Sequence, residues 1–281
     1  MNVLLAGAFG NLGSDVLREL VRQGHTVTAV GRTIRKPEDC QEGYTAVEAD
    51  LQKPEQLKGI CNGMDIVITT VGLTRGDGTL TNKDIDYRAN LNLLKEARRA
   101  KVKTFVYVSV VKVEGHPDVP MLAAKAAFER MLKKSGLNWV IFRPTGYFYD
   151  ISQVFMPMID KGKVTLLGKK PVYANVVHTP DLARFMVAHM NDKCVTYDVG
   201  GVETWSYEEI AKMFFKAAGK EPNIGYAPAK LFDLLIFINK RKKNGKADII
   251  KFSKFTLSED MIGDNIAGDS SFEEYIKSLY K

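Results

Sequence analysis

The apolar run Val3-Leu4-Leu5-Ala6 leads straight into Gly7-Ala8-Phe9-Gly10-Asn11-Leu12-Gly13, and no other stretch of the 281 residues restricts the fold as severely. A strand that ends in a glycine-rich turn and then opens a helix is built to hold a diphosphate. The glycines let the backbone approach the phosphates, while the helix's free N–H groups and positive dipole end face the anion. The spacing is G-x-x-G-x-x-G, not the G-x-G-x-x-G of the general dinucleotide fingerprint. The competing reading is a tight turn that binds nothing, but such a turn needs one glycine rather than three at this spacing.

Behind the turn, short β-branched runs alternate with amphipathic stretches. Strands are expected at about 2–6, 25–30, 45–49, 65–71, 104–109 and 139–142, and helices at about 11–23, 84–100 and 122–135. Near-continuous apolar strands separated by helices imply an α/β fold, a doubly wound parallel sheet covered on both faces. After Pro144 the rhythm changes. Residues 147–160 read as an aromatic helix, Thr179-Pro180-Asp181 as an N-cap followed by proline, and Ser206–Glu209 and Ser271–Glu274 as capping boxes. Strands near 172–177 and 195–199 accompany them. The expected organisation is a dinucleotide-binding core over 1–145 and a small, mostly helical C-terminal lobe over 146–281 that partly returns to the sheet. Ligands of open α/β sheets bind at the carboxyl ends of the strands, so a substrate belongs between lobe and cofactor.

Composition narrows the partners. Forty Lys and Arg against 33 Asp and Glu give a net charge of +7, which suits an anionic ligand. No aromatic-and-basic stripe accompanies it, so no nucleic acid is expected. Cys40, Cys61 and Cys194 are scattered, fit no metal spacing, and read as reduced thiols of a cytoplasmic protein. The chain enters a needed strand at once, so no cleavable leader is expected. His25, His116, His178 and His189 form no metal spacing either.

The end of the second strand bears on which nicotinamide coenzyme is bound. An NAD-preferring site places Asp or Glu there to accept from the ribose hydroxyl. Here the run is Ala29-Val30-Gly31-Arg32-Thr33, with Arg35 and Lys36 following. A guanidinium pairs with a 2′-phosphate and stacks on adenine, which indicates NADP in preference to NAD; a solvated basic loop is the alternative. Asp50-Leu51 follows the third strand, where the carboxylate either accepts from the adenine amino group or caps the next helix. Val71-Gly72 ends the fourth, and glycine there lets the chain pass close to the adenosine and ribose side.

As a set these residues resemble the short-chain dehydrogenase/reductase superfamily in its atypical, NmrA-like branch. The matching residues are Gly7-x-x-Gly10-x-x-Gly13, Gly31-Arg32, Asp50-Leu51, Val71-Gly72, Tyr107-Val108-Ser109, Ala124-Lys125-x-x-x-Glu129, Arg143-Pro144-Thr145-Gly146 and His178-Thr179-Pro180-Asp181-Leu182-Ala183. The resemblance covers nearly the whole chain and weakens after about Gly219. It implies a nicotinamide cofactor held by Gly7, Phe9, Gly10, Asn11, Leu12, Gly13, Arg32, Asp50, Leu51, Val71, Gly72 and Lys125. Typical members carry Tyr-x-x-x-Lys with the tyrosine as general acid. Here Met121 stands at that position, and a thioether donates no proton. In the related isoflavone-reductase group a lysine acts without the tyrosine, so the resemblance allows Lys125 to relay a proton as well as to hold the nicotinamide ribose. It also places Ser109 where a hydroxyl polarises a carbonyl or merely satisfies local backbone. Tyr147 is either a replacement proton donor or an aromatic core residue. Glu129, four residues beyond Lys125, reads as its helix ion-pair partner, and His178 as a structural hydrogen-bonding residue.

The function implied is an NADP(H)-dependent oxidoreductase acting on a small apolar or aromatic molecule, in a cleft roofed by Tyr147, Phe148, Phe155 and Met156. The alternative from another class is a non-catalytic NADP-binding redox sensor or assembly factor, which Met121 favours. An epimerase of the extended branch needs the missing tyrosine. The segment 230–246 joins an apolar run to a cluster of cations, reading as a lobe helix or as a peripheral membrane or protein contact. The apolar run is too short to span a bilayer. The expected state is a monomer or homodimer.

Overall fold

The computed structural model describes residues 1–73, 79–242 and 246–280. In chain order the first elements are β1 (Asn2–Ala6), α1 (Asn11–Arg22), β2 (Thr26–Gly31), β3 (Tyr44–Glu48), α2 (Pro54–Leu57) and β4 (Ile66–Thr69). A wide π-helical segment, Lys83–Ala89, runs into α3 (Asn90–Arg99), followed by β5 (Thr104–Val108), α4 (Pro120–Lys133) and β6 (Asn138–Pro144). Then come α5 (Phe148–Asp160), β7 (Val164–Leu167), β8 (Tyr173–Ala174), α6 (Thr179–His189), β9 (Val195–Gly200) and β10 (Trp205–Ser206). The chain closes with α7 (Tyr207–Ala217), β11 (Ile224–Ala227), α8 (Ala229–Lys242), α9 (Lys246–Thr256), β12 (Asn265–Ile266) and α10 (Phe272–Ser278).

Among these residues an eight-stranded sheet runs in the order β12-β9-β6-β5-β4-β1-β2-β3, parallel at every pairing. The doubly wound α/β architecture expected from the alternation is therefore present. Chain order reverses between β1 and β4, the crevice in which such sheets bind ligands. One face of β1 buries Val3 and Leu5 beneath α1 and α6. The other buries Leu4 and Ala6 with Leu93 and Leu94 of α3 and Phe128 of α4. The small strand pairs β10–β8 and β11–β7 belong to the later part of the chain, whose helices α5, α7 and α10 pack Phe155, Phe214 and Phe272 together.

Three local expectations need correction. Helix α6 starts a residue earlier than the Thr179 cap suggests: His178 occupies the N-cap with extended backbone and no side-chain cap, leaving Thr179 and Pro180 inside the first turn. Asp181 is instead drawn off to the Ser270 N–H and the Arg184 guanidinium. The box at Ser206–Glu209 is reciprocal, whereas at Ser271 only the hydroxyl's bond from the Glu274 N–H forms. Glu129 does not pair with Lys125. It takes a two-pronged contact from Arg143 of β6, at 2.9 and 2.5 Å, and a longer one of 3.6 Å from Lys133. The planar guanidinium fork matches both carboxylate oxygens, which an ammonium cannot do.

Glu129 is buried, and Arg143 nearly so. Glu129→Ala leaves the Arg143 guanidinium with only the exposed Glu114 carboxylate at 2.9 Å and Asp198 at 3.9 Å. Urea denaturation is expected to show a loss of about 1–3 kcal/mol for this variant, against less than about 1 kcal/mol for Lys133→Ala.

Candidate functional site

The crevice between β1 and β4 opens into a groove of about 550 Å³. Its lining includes Gly7, Phe9, Gly10, Asn11, Leu12, Gly13, Arg32, Asp50, Leu51, Val71 and Gly72, so every expected cofactor residue except Lys125 faces one cavity. Gly31, Arg35, Thr70, Leu73, Ile85 and Ala89 complete much of the wall.

The glycine turn is held rigidly. Gly7 and Ala8 donate to the Val30 carbonyl at 2.9 and 3.2 Å, and the Gly7 carbonyl accepts from the Gly10 N–H at 3.0 Å. Gly7 has φ +80°, a conformation that disfavours any side chain. Gly13 has a different role: a Cβ there would collide with the Gly7 carbonyl oxygen, so its hydrogen lets α1 press against the turn. At Gly10 an added Cβ meets only that same carbonyl, at 3.4 Å, so this position is bare towards the groove. No side chain caps α1. The N–H groups of its first turn lack intrahelical acceptors by geometry and are free for an anion. The cradle therefore fits a diphosphate.

At the end of the groove beside β2, Phe9 lies over Gly31, where a Cβ would come within 2.7 Å of the ring. Arg32 and Arg35 are exposed on the groove wall, and neither makes an ion pair among the described residues. Asp50 does not cap α2, whose N-cap is Lys53. Its carboxylate instead accepts from the Gln52 N–H at 3.0 Å and keeps its place on the groove wall.

At the opposite end Gly72 covers a buried charge pair. Lys125 Nζ lies 3.2 Å from Asp86 Oδ1 and donates to the Val108 carbonyl at 3.2 Å. A Cβ on Gly72 would sit 3.0 Å from Asp86 Oδ1 and 3.3 Å from Lys125 Nζ. Lys125 is 8% exposed and Asp86 not at all. Around them, Asn82 Nδ2 donates to Asp86 Oδ2 and to the Leu73 carbonyl. Asn90 Nδ2 donates to the Val71, Ile85 and Asp86 carbonyls, and Asn90 Oδ1 accepts from Thr69 Oγ1. The amide inserted at Asn90 meets carbonyls freed by the π-helical turn, a local widening common at functional sites. This is why the expected helix over 84–100 is not uniformly α.

Ser109 is buried beside the Val108 carbonyl, and its hydroxyl has no hydrogen-bond partner. The same holds for the Tyr107 hydroxyl, whose ring lies under Lys125 Nζ at 5.3 Å from the centroid. Burial, and secondarily Asp86, push the Tyr107 phenol well above its ordinary pKa. Met121 is buried one turn before Lys125 on α4. Tyr147 packs on the sheet core next to Val177, outside the groove lining; burial, then Asp150, raises its phenol too. Phe148 and Phe155 are core residues rather than the exposed roof of a cleft. Both are buried against Phe272 and Phe214 because α5, α7 and α10 close on one another. His178 stacks on Phe148 and meets Ser270 Oγ at 3.3 Å, and burial lowers its pKa, as suits a structural residue. Sequence reasoning missed Asp86, Asn82, Asn90 and Thr69. Its one available signal was Asp86 and Asn90 four residues apart within an otherwise apolar helix face. Among the described residues no cluster of His, Cys, Asp and Glu could hold a metal.

A glycine-cradled switch-point groove with a buried lysine at its far end defines a nicotinamide-coenzyme-binding protein. The chain belongs to the NAD(P)H-binding family, whose profile matches residues 7–193, in the atypical short-chain dehydrogenase/reductase, NmrA-like group. Among curated proteins it is 30% identical over 233 residues to the photosystem II assembly factor Ycf39 of Synechocystis sp., covering 81% of this chain and 71% of that one. It is 28% identical to the chloroplastic divinyl chlorophyllide a 8-vinyl-reductase of Arabidopsis thaliana, covering 84% of this chain and 62% of the relative. Among solved structures, the NADPH complex of the quinone oxidoreductase QOR2 from Escherichia coli superposes with a TM-score of 0.78 at 17% identity, covering both chains completely. That likeness is one of fold.

Two substitutions separate packing from binding. Gly13→Ala is expected to destabilise the fold by about 1–3 kcal/mol, seen as a lowered Tm. Gly10→Val, at the N-cap of α1, is expected to cost about 1 kcal/mol or less in stability while weakening coenzyme binding by more than about tenfold in calorimetric titration.

Proposed function

We propose that this protein is an NADP(H)-dependent oxidoreductase acting on a small apolar or aromatic molecule. The buried Lys125–Asp86 pair behind Gly72 carries this reading. A bound nicotinamide would exchange hydride with the substrate. The first-turn N–H groups of α1 hold the diphosphate, and Arg32 with Arg35 holds the 2′-phosphate by charge-assisted hydrogen bonds. Asp86 and the Val108 carbonyl fix the Lys125 ammonium, which leaves a donor for the ribose hydroxyls and a proton to relay. Met121 supplies none. The buried, unpartnered Ser109 hydroxyl is the adjacent polar group that could orient a carbonyl.

A second reading is a non-catalytic NADP-binding sensor or assembly factor. Met121 favours it, as does the 30% identity to a protein named as a photosystem II assembly factor. Turnover decides between them. With quinones and enones as acceptors, NADPH oxidation is expected and Lys125→Met should reduce kcat by about 10²-fold or more. Tight NADPH binding without turnover across such a panel would leave the sensor reading. Replacing Arg32 and Arg35 by alanine is expected to weaken NADPH about ten- to a hundredfold, at roughly 1.5–3 kcal/mol for hydrogen bonds to charged groups, with NADH binding little changed. Equal losses for both coenzymes would refute the 2′-phosphate assignment.

A further inference from the structure

Helix α8 is turned outward. Leu231, Leu234, Leu235 and Ile238 recur at i, i+3, i+4 and i+7, the spacing of a core-facing stripe. Each is exposed, Leu234 by 53% and Leu235 by 40%. The half-buried Phe232, Ile236 and Asn239 mark the opposite face, and no residue of α8 whose burial is described is fully buried. The helix packs with α9 as a hairpin, tied by Lys254 Nζ to Asp233 Oδ1 at 2.6 Å. Ile249 of α9 adds to the exposed apolar surface. In a water-soluble face this is an unusual concentration of large apolar side chains.

The charge is concentrated in the same place. Helices α8 and α9 together contain seven Lys and Arg against Asp233 and Asp248, a surplus of five out of the whole chain's +7. Lys230 and Lys240 stand exposed near the two ends of the apolar stripe. Residues 243–245 of the segment singled out in the sequence lie outside the described residues and are not needed for this count. No helix among the described residues is long and apolar enough to cross a membrane.

We propose that the α8–α9 hairpin is an interfacial anchor for an anionic lipid surface, with the leucine face entering the headgroup boundary and the flanking cations meeting acidic headgroups. Apolar burial and lipid charge reinforce each other in such contacts. Charge selects this occupant over a second copy of the chain, since a face-to-face dimer would oppose two equally cationic patches. The anchor would hold the coenzyme groove close to a membrane, where apolar substrates partition.

Cosedimentation of the 281-residue chain with vesicles tests this. Binding is expected to vesicles of equal parts phosphatidylcholine and phosphatidylglycerol, weakened by salt, and to be far lower with phosphatidylcholine alone. The exposed pair Leu234→Glu and Leu235→Glu should reduce binding on the order of tenfold or more while NADPH affinity stays unchanged. Lys230→Glu with Lys240→Glu should flatten the dependence on anionic lipid. Failure of the wild-type protein to bind the anionic vesicles at low salt would overturn the proposal, as would equal binding of the leucine variant. A leucine-dependent dimer in sedimentation velocity without vesicle binding would instead assign the face to a second copy, and capture only by an acidic polypeptide would assign it to a protein partner.

Discussion

The approach of Gly13 to the Gly7 carbonyl is the contact on which the coenzyme groove depends. It sets the distance between α1 and the carboxyl end of β1. With Gly7 pinned to Val30 and Gly10 bonded back to Gly7, the turn cannot drift, and the first N–H groups of α1 point into the crevice beside β4. The rest of the sheet serves this geometry. Five parallel strands lie on the β4 side of β1 and two on the other, and helices on both faces bury Val3 to Ala6. A helix end left uncapped inside a protein is costly unless something else satisfies it, and here the groove leaves that end open for an anion.

The far end of the groove is organised by polar groups that the apolar sheet would otherwise exclude. A buried ammonium is tolerable only with a partner and hydrogen bonds. Asp86 supplies the charge, and Asn82 and Asn90 hold both Asp86 and the strand-end backbone from Val71 to Leu73. Gly72 is small because that pair lies directly beneath it. Lys125 thus lies behind the wall of the cavity rather than on its surface. The usual tyrosine has no replacement in the groove lining: Met121 is a thioether, and Tyr147 is committed to the sheet core.

Two regions outside the groove show how packing redirects residues. Phe148 and Phe155 have the aromatic character expected of a substrate cleft, yet α7 and α10 bury them. Leucines of α8 have the periodicity of a core helix, yet α8 packs chiefly on α9 and these leucines stay exposed. Hydrophobic periodicity says that a face is apolar; it does not say what covers it.

The sequence by itself determined the parallel α/β core, the glycine turn before α1 and the basic end of the groove at β2. These depend on local chemistry: a strand, three spaced glycines, a helix start and arginines at the next strand's end lie within 35 residues of the N-terminus. Tertiary structure alone decided the partners of Glu129 and Lys125. Glu129 had Lys125 and Lys133 within one helical turn, and chose Arg143 from β6 because a fork-shaped donor across the sheet fits a buried carboxylate better. Lys125, released from that pairing, met Asp86 from a turn of π-helix some forty residues earlier in the chain. Pairings between distant segments form only when folding brings them together, and no spacing in the linear chain records which of several available charges will share one buried place.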